Sequence, residues 1–384
     1  MRICVAYDCL YPYTVGGAER WYRNVAERLA ASGHDVTLIT LRQWAADETP
    51  DVPGVSVVAV GPRMALYTRS GRRRILPPVL FGIGTLRHLL LRRPRYDVVH
   101  MASFPYFSVL AAALARPLGR FRLVVDWHEV WTRAYWDEYL GPFGRIGWTI
   151  QLVCARVSHR AFCFSRLHAG RLRDEGFSGE LTVLEGQYEA HDHPPPQPPG
   201  EIRPLAVFAG RHIPEKRAPA LVPAVAAARR EWPELRAAIY GDGPDRAEVE
   251  RRITATGLEE VVDTPGFAPG PELTEALAHA ACMVLPSRRE GYGRIVIEAA
   301  SVGTPSVVVA DDDNAATELV EDGVNGVISP SASPGDLASA IVRVRDGGAA
   351  MRASTADWFE RNAKRLSLEA SLDQVVATYA SSSS

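Results

Sequence analysis

The sequence predicts an α/β protein built as two doubly wound parallel sheets. Three observations carry this. Short β-rich runs alternate with longer segments whose apolar residues recur at helical spacing, the pattern of β-α-β units. A proline-dense stretch near the middle, HPPPQPPGEIR at 193–203, can continue neither element, because proline removes a donor and fixes φ. It reads as an extended linker between domains. The length of 384 residues is that of two or three domains at roughly 150 residues each.

The elements follow in order. Ile3–Tyr7 is a short apolar run that leads into the loop Tyr11–Gly17. Ala18–Ala31 places Trp21, Val25 and Leu29 on one helical face. Val36–Thr40, Val55–Val60, Asp97–His100 and Leu123–Asp126 read as further strands. Beyond the linker the alternation restarts. Leu205–Ala209, Ala237–Tyr240, Met283–Pro286 and Ser306–Val309 are strand-like, and Ala218–Trp232, Asp245–Gly257, Pro271–Ala280 and Ile295–Val302 are helix-like. The expected division is a first domain over 1–190, a linker over 191–203, a second domain over 204–360 and a closing helix over 361–384. The tail Ser381–Ser384 reads as frayed. Ligands of such sheets sit beyond the carboxyl ends of the strands, so a cleft between the domains is the expected site.

Composition narrows the function. An apolar fraction of 47% and a charged fraction of 23% are ordinary for a soluble globular protein and exclude a disordered or collagen-like chain. The net charge of −2 argues against nucleic-acid binding, which wants a basic domain. The charge is uneven, near +6 over 1–200 and −8 over 201–384. Lysine is almost absent: Lys216 and Lys364 stand against 41 arginines. Codon bias explains that first, but it draws attention to any lysine in a motif. The five cysteines form no C-x-x-C pair, so they read as free thiols of a reducing cytosol. No apolar run is long enough to span a bilayer, and Asp8 interrupts any signal-like stretch. The expected location is cytoplasmic.

Two segments carry chemistry. In FAGRHIPEKRAP, 208–219, a strand ends at a glycine, and Arg211 and Lys216 follow in a loop before a helix. Two cations beside a helix N-terminus suit a diphosphate, although a solvated basic loop fits about as well on the residues alone. In PSRREGYGRIVIEA, 286–299, a strand gives way to a glycine-containing turn and then a helix. Glu290 sits in the turn and Glu298 in the helix, while Gly291 and Gly293 let backbone N–H groups approach a ligand. A paired-carboxylate glycosidase is the competitor. Eight residues of helix would rise about 12 Å, more than such enzymes use, which favours two hydroxyl-binding carboxylates at different depths. Either glutamate taken alone would read as an ordinary turn or surface residue.

In this order the segments resemble the retaining glycosyltransferases of family 4, which have the GT-B fold of two Rossmann-like domains. EGYGRIVIE fits the family's E-x7-E signature. GGAER at 16–20 is similar to its N-terminal glycine loop, AGRHIPEK at 209–216 to its phosphate motif, and YGDGPDR at 240–246 to its strand-then-turn pattern. GTPSVV at 303–308 and EDGVNG at 321–326 are similar to the segments that follow E-x7-E. The resemblance covers nearly the whole chain. It implies that Arg211 and Lys216 neutralise the diphosphate of a nucleotide sugar. Glu290 would contact the transferred sugar and act in catalysis, and Glu298 would bind the ribose. Backbone groups around Gly291, Tyr292, Gly293, Arg294 and Ile295 would hold sugar hydroxyls and phosphate. Gly16 and Gly17 would close on the donor, and His128, at the end of a strand, would be the second catalytic residue, by touching the sugar or by moving a proton. The resemblance further implies a hexose-type sugar, retention, no metal and no cofactor, and a last helix that crosses back to the first domain. Two segments depart from the family pattern: EGQYEA at 185–190, and DDDNAAT at 311–317 where glycines are usual. The second puts the identity of the donor in question more than its class.

The acceptor is less legible. Trp131, Tyr135 and Tyr139 share a helical face in an aromatic-dense segment. Such a stripe is more often packing, but Trp131 and Tyr135 are the candidates for an acceptor platform. Residues 69–95 hold eight arginines and no acid, with Leu89–Leu91 between them. A solvated helix is the simpler reading; peripheral contact with the inner face of the cell membrane is the other. The expected activity is transfer to a glycan, a lipid-linked acceptor or a small molecule. A non-catalytic nucleotide-sugar-binding protein is the alternative, as is a membrane-surface transferase. A phosphorylase would need pyridoxal phosphate on one of only two lysines, which disfavours it.

Overall fold

The structure is a computed structural model that describes residues 1–384 except 46, 67, 69–72, 92–95, 190–201 and 381–384. The chain divides into two compact units, 1–184 with 371–384, and 185–370. The proline stretch lies outside the described residues apart from Ile202 and Arg203.

The first unit is a seven-stranded parallel sheet. Its strands are β1 (Arg2–Ala6), β2 (Asp35–Leu41), β3 (Val55–Gly61), β4 (Val98–Ala102), β5 (Arg122–Trp127), β6 (Arg160–Cys163) and β7 (Leu181–Val183), in the order β3-β2-β1-β4-β5-β6-β7. The chain winds outward from β1 to β3 and then returns to β4, so the reversal falls between β1 and β4. Helix α1 (Gly17–Ala31) follows β1. Helices α2 (Leu76–Leu91) and α3 (Phe107–Gly119) flank β4 in sequence and pack against each other. Right-handed crossovers put these two on the face opposite α1. Helices α4 (Arg133–Leu140), α5 (Gly144–Arg156) and α6 (Arg166–Asp174) complete the run. Helix α2 lies within the segment 69–95, for which a solvated helix was the simpler reading, yet its outward side is largely leucine and isoleucine.

The second unit has six parallel strands. They are β8 (Arg203–Ala209), β9 (Arg236–Tyr240), β10 (Val262–Gly266), β11 (Ala280–Leu285), β13 (Ser306–Val309) and β15 (Gly326–Ser329), in the order β10-β9-β8-β11-β13-β15. A separate parallel pair, β12 (Arg289–Glu290) and β14 (Asp313–Asn314), sits in the loops after β11 and β13. Successive strand residues point to opposite faces. Phe208, Val284 and Val309 enter one buried cluster with α7 (Leu221–Ala228) and α11 (Pro334–Leu366). Val207, Leu285 and Val308 enter another with α9 (Gly270–His279) and α10 (Arg294–Ser301). Both faces are therefore covered, and each fully buried aliphatic side chain contributes about 1.5–3 kcal/mol. Helix α8 (Arg246–Thr256) follows β9, and α12 (Leu368–Ala380) closes the chain.

Several boundaries differ from the sequence reading, three of them with a local cause. The helix expected over Ala218–Trp232 is regular only from Leu221 to Ala228, since Pro219 precedes it in a 3-10 turn and a further turn follows. Ala280 opens β11 rather than closing α9, and β11 ends at Leu285, before Pro286. The closing segment is two helices broken at Ser367. Its residues from Ser371 onward cluster with the first unit. All five cysteines are free and buried, and burial pushes the thiols of Cys154 and Cys282 up to about 12.

Candidate functional site

The two chemistry-bearing segments of the second unit meet in space. Lys216 lies in the 3-10 turn Pro214–Lys216 beyond β8, and Glu290 lies in β12. The Lys216 ammonium reaches Glu290 Oε1 at 2.6 Å, although 74 residues separate them. The Ser287 hydroxyl donates to the same oxygen at 2.7 Å. A backbone bond from Arg288 N–H to the Glu215 carbonyl, 2.8 Å, ties the two loops together. Glu290 is buried, while the Lys216 side chain keeps 21% of its surface. A ligand can therefore reach the ammonium without unpacking the carboxylate. Arg211 is exposed at the head of the same loop and has no acidic partner among the described residues.

The backbone holding Glu290 owes its register to the segment in which glycines were expected. Asp313 and Asn314 pair with Arg289 and Glu290 as β14 and β12. The Asn314 amide donates to the carbonyls of Ser287 and Val309, at 3.2 and 2.8 Å, and its oxygen accepts from Ala316 N–H at 3.1 Å. Asp311 pairs with Arg217 at 3.3 Å. Nothing in the sequence pattern pointed to Ser287 or Asn314; their role depends on a parallel pair formed between two loops.

Helix α10 begins just beyond. Gly293 is its N-cap, in the left-handed region at φ 97°, and a Cβ there would stand 2.5 Å from that of Ala316. Only glycine fits both demands. Among the described residues no side chain caps this first turn; Val296 N–H donates to the Gly293 carbonyl at 2.9 Å, and the N–H groups of Arg294 and Ile295 are left for an anion. Arg294 Nε binds Glu298 Oε1 at 2.7 Å, and Arg294 also reaches Glu189 at 3.5 Å. The Tyr292 hydroxyl donates to the Glu185 carbonyl, and burial raises this phenol. Gly291 and Ile295 are half-buried beside it. The segment 185–189, the other departure from the family pattern, thus braces the start of α10, and Glu185 pairs with Arg365 at 2.8 Å. His212, next to Arg211, is fully buried. Burial lowers its pKa, which keeps it neutral.

The expected residues of the first unit lie near the carboxyl ends of its strands. Gly16 is the N-cap of α1 in extended conformation, and Gly17 opens the helix. The Glu19 carboxylate already stands against Gly16, its Oε2 only 2.4 Å from where a Cβ would be. His128 follows β5 and stacks on Phe164 at 4.2 Å. Among the described residues its buried Nε2 has no hydrogen-bond partner, and burial lowers its pKa, so the ring is neutral at pH 7. Beneath it lies a network that the sequence reading missed. Asp126 Oδ1 meets His100 Nε2 at 2.8 Å, its Oδ2 accepts from Trp21 Nε1 at 2.7 Å, and the Tyr379 hydroxyl of α12 meets His100 Nδ1 at 2.7 Å. All four residues are buried to 1% or less. Burial alone would raise Asp126, but the adjacent His100 and the hydrogen bonds outweigh it and hold the carboxyl below its usual value. The available signal was a polar residue inside each of two apolar strand runs, VVHMA and LVVDW.

The aromatic segment is mostly packing. Tyr135 is buried, and Trp131 precedes α4 rather than lying in it. Trp131 still meets Tyr135 at 4.8 Å and Tyr139 at 5.1 Å, and its indole donates to Glu129. Buried Gln151 accepts from Tyr106, Trp136 and the Trp131 backbone, which fixes the cluster.

Two parallel-sheet α/β units, the second with a lysine paired to a buried glutamate just before a helix start, are those of the GT-B class. The Glycosyltransferase Family 4 domain matches residues 15–186, and the domain of Glycosyl transferases group 1 matches residues 192–365. Together the two matches make the chain a family-4-like glycosyltransferase of the GT-B fold. It is 30% identical over 229 residues to an alpha-D-kanosaminyltransferase of Streptomyces kanamyceticus, a match that takes in 60% of this chain and 55% of that enzyme. Among solved structures, sucrose-phosphate synthase from Thermosynechococcus elongatus has the same fold at a TM-score of 0.79, with 18% identity, over 99% of this chain and 98% of the other. Anabaena HepE, solved with UDP and glucose, has it at 0.74, with 17% identity, over 99% and 100%.

Proposed function

We propose that the protein transfers a hexose-type sugar from a nucleotide diphosphate sugar to an acceptor hydroxyl, with retention at the anomeric carbon and without metal. The observation that carries this reading is the Lys216–Glu290–Ser287 cluster beside the uncapped start of α10. Negative charge grows on the leaving diphosphate as the bond from C1 to phosphate oxygen breaks. Lys216, held by Glu290, and the N–H groups at the start of α10 are positive partners already in place for that charge, and the exposed Arg211 swings in to join them. Lys216 has three donors, so it can keep Glu290 and still bind phosphate. Glu290 accepts a hydroxyl of the transferred sugar, and Glu298 accepts the ribose hydroxyls while Arg294 orients it. As the acceptor oxygen bonds to C1 from the departing side, its proton passes to the leaving phosphate oxygen. HepE was solved with UDP, which supports a uridine nucleotide as the first donor to try. The first unit takes the acceptor in this reading, and neutral His128 offers its free Nε2 to a sugar hydroxyl.

Calorimetric titration with UDP, GDP, dTDP and ADP tests the donor class, on wild type and Glu298→Ala. One nucleotide binds tightly and the substitution weakens it; no binding of any nucleotide by folded protein overturns the reading. The anomeric configuration of the product, followed by NMR, checks retention, and turnover in excess chelator checks the independence from metal.

A further inference from the structure

The outer face of α2 and α3 is apolar where a soluble protein would place charge. The helices are neighbours on one face of the first sheet. Their inner sides are closely fitted: a Cβ at Gly84 would stand 2.0 Å from the Val60 carbonyl oxygen, and one at Gly82 would stand 2.7 Å from Phe107. Phe81, Thr85 and Leu89 fill the interior. The outward residues are mostly leucine and isoleucine, with Arg87 among them. Ile83, Leu91, Leu114 and Leu118 are 59, 71, 70 and 68% exposed, and Leu76 and Leu90 stand with them. Leu76, Ile83 and Leu90 recur every seven residues and make one stripe of α2, while Leu114 and Leu118 lie one turn apart on α3. An exposed apolar face shared by two adjacent helices marks an interaction surface.

Charge identifies the occupant. Residues 52–125 contain twelve arginines and a single acid, Asp97, in a chain whose net charge is −2. Arg74 and Arg87 on the α2 side and Arg120 after α3 are exposed beside the leucines. Two copies meeting through this face would set these arginines against each other. A surface that offers both hydrocarbon and negative charge suits it, and that is an anionic bilayer. Among the described residues no helix is long and apolar enough to cross a membrane, so the contact is with the surface. We propose that α2 and α3 dock the protein on anionic lipid, with Ile83, Leu90, Leu114 and Leu118 entering the headgroup region and Arg87 and Arg120 pairing with phosphates. This places the membrane contact on a face built from two helices. The sequence reading had placed it in the basic segment 69–95, part of which lies outside the described residues.

The test is co-sedimentation of the full-length protein with vesicles of phosphatidylcholine alone and of phosphatidylcholine with phosphatidylglycerol in equal parts. Binding to the anionic vesicles should exceed binding to the neutral ones by about ten-fold or more and weaken in high salt. Ile83→Asp with Leu118→Asp should cut anionic binding by at least about ten-fold, at unchanged thermal stability. Should that pair prove unstable, Arg87→Glu with Arg120→Glu, both at exposed positions, should give the same loss. Failure to pellet with anionic vesicles overturns the proposal, as does equal pelleting of the variants and wild type. A dimer in sedimentation velocity that the same substitutions dissociate also overturns it, by assigning the face to a second copy.

Discussion

Each unit holds a buried carboxylate against a basic side chain near the carboxyl ends of its strands, and the two differ in how the partner is exposed. Asp126 of the first unit is sealed: His100, Trp21 and Tyr379 around it are as buried as the acid itself. Glu290 of the second is buried too, but Lys216 stands partly in solvent. A sealed pair has no spare donor for a ligand, and removing one member leaves the other stranded in low dielectric. A pair with one exposed cation can share that cation with an arriving anion. The comparison separates a carboxylate sealed in the fold from one whose cationic partner a ligand can still reach.

The sharpest way to break this distinction is to remove each acid in turn. Asp126→Ala should cost about 3–5 kcal/mol of unfolding free energy in denaturant titration, because it strands buried His100 and Trp21. Glu290→Ala should instead keep the unfolding midpoint near wild type and lower kcat by about 100-fold or more, the scale of a group that acts on the transition state. Full turnover by that variant would remove Glu290 from the chemistry.

A pH series sharpens the same contrast from the first unit. His159 donates from Nδ1 to the Val157 carbonyl and accepts from Trp127 at Nε2, an arrangement open only to the neutral ring. Burial lowers its pKa to about 4, so its folded value lies below the unfolded one. The unfolded chain takes up the proton first. Stability present above about pH 6.5 is therefore lost as pH falls toward 4, by up to about 3 kcal/mol. His159→Gln, compared with wild type at pH 7 and pH 5, should flatten that slope. The smallest effect should come from Ser287→Ala, which deletes one hydrogen bond to Glu290. The expected loss is about five- to ten-fold in kcat with KM nearly unchanged, and Ser287→Thr should restore part of it.

Much of the candidate site could be read in the sequence as residue types. Arg211, Lys216, Glu290, Gly293 and Glu298 stand where short local patterns put them, because a strand, a glycine turn and a helix start are each written within a dozen residues. Ser287, Asn314, His100 and Tyr379 could not be read the same way. Asn314 matters through a parallel pairing of two loops, and Tyr379 through a helix that joins the first unit from the far end of the chain. Trp131 and Tyr135 show the opposite limit. Their helical spacing was visible, but whether the face meets a ligand or Gln151 and Phe104 depends on packing.

By itself the sequence determined two doubly wound sheets and the cations and carboxylates that the second one carries. Alternation along strands and glycines in turns act over a few residues, so they survive as pattern. Only the tertiary structure decided that Lys216 closes on Glu290, that Asp126 is sealed among buried partners, and that the leucines of α2 and α3 face outward. Those outcomes depend on strand register and on which helix covers which face, and these are set by contacts between residues distant in the chain.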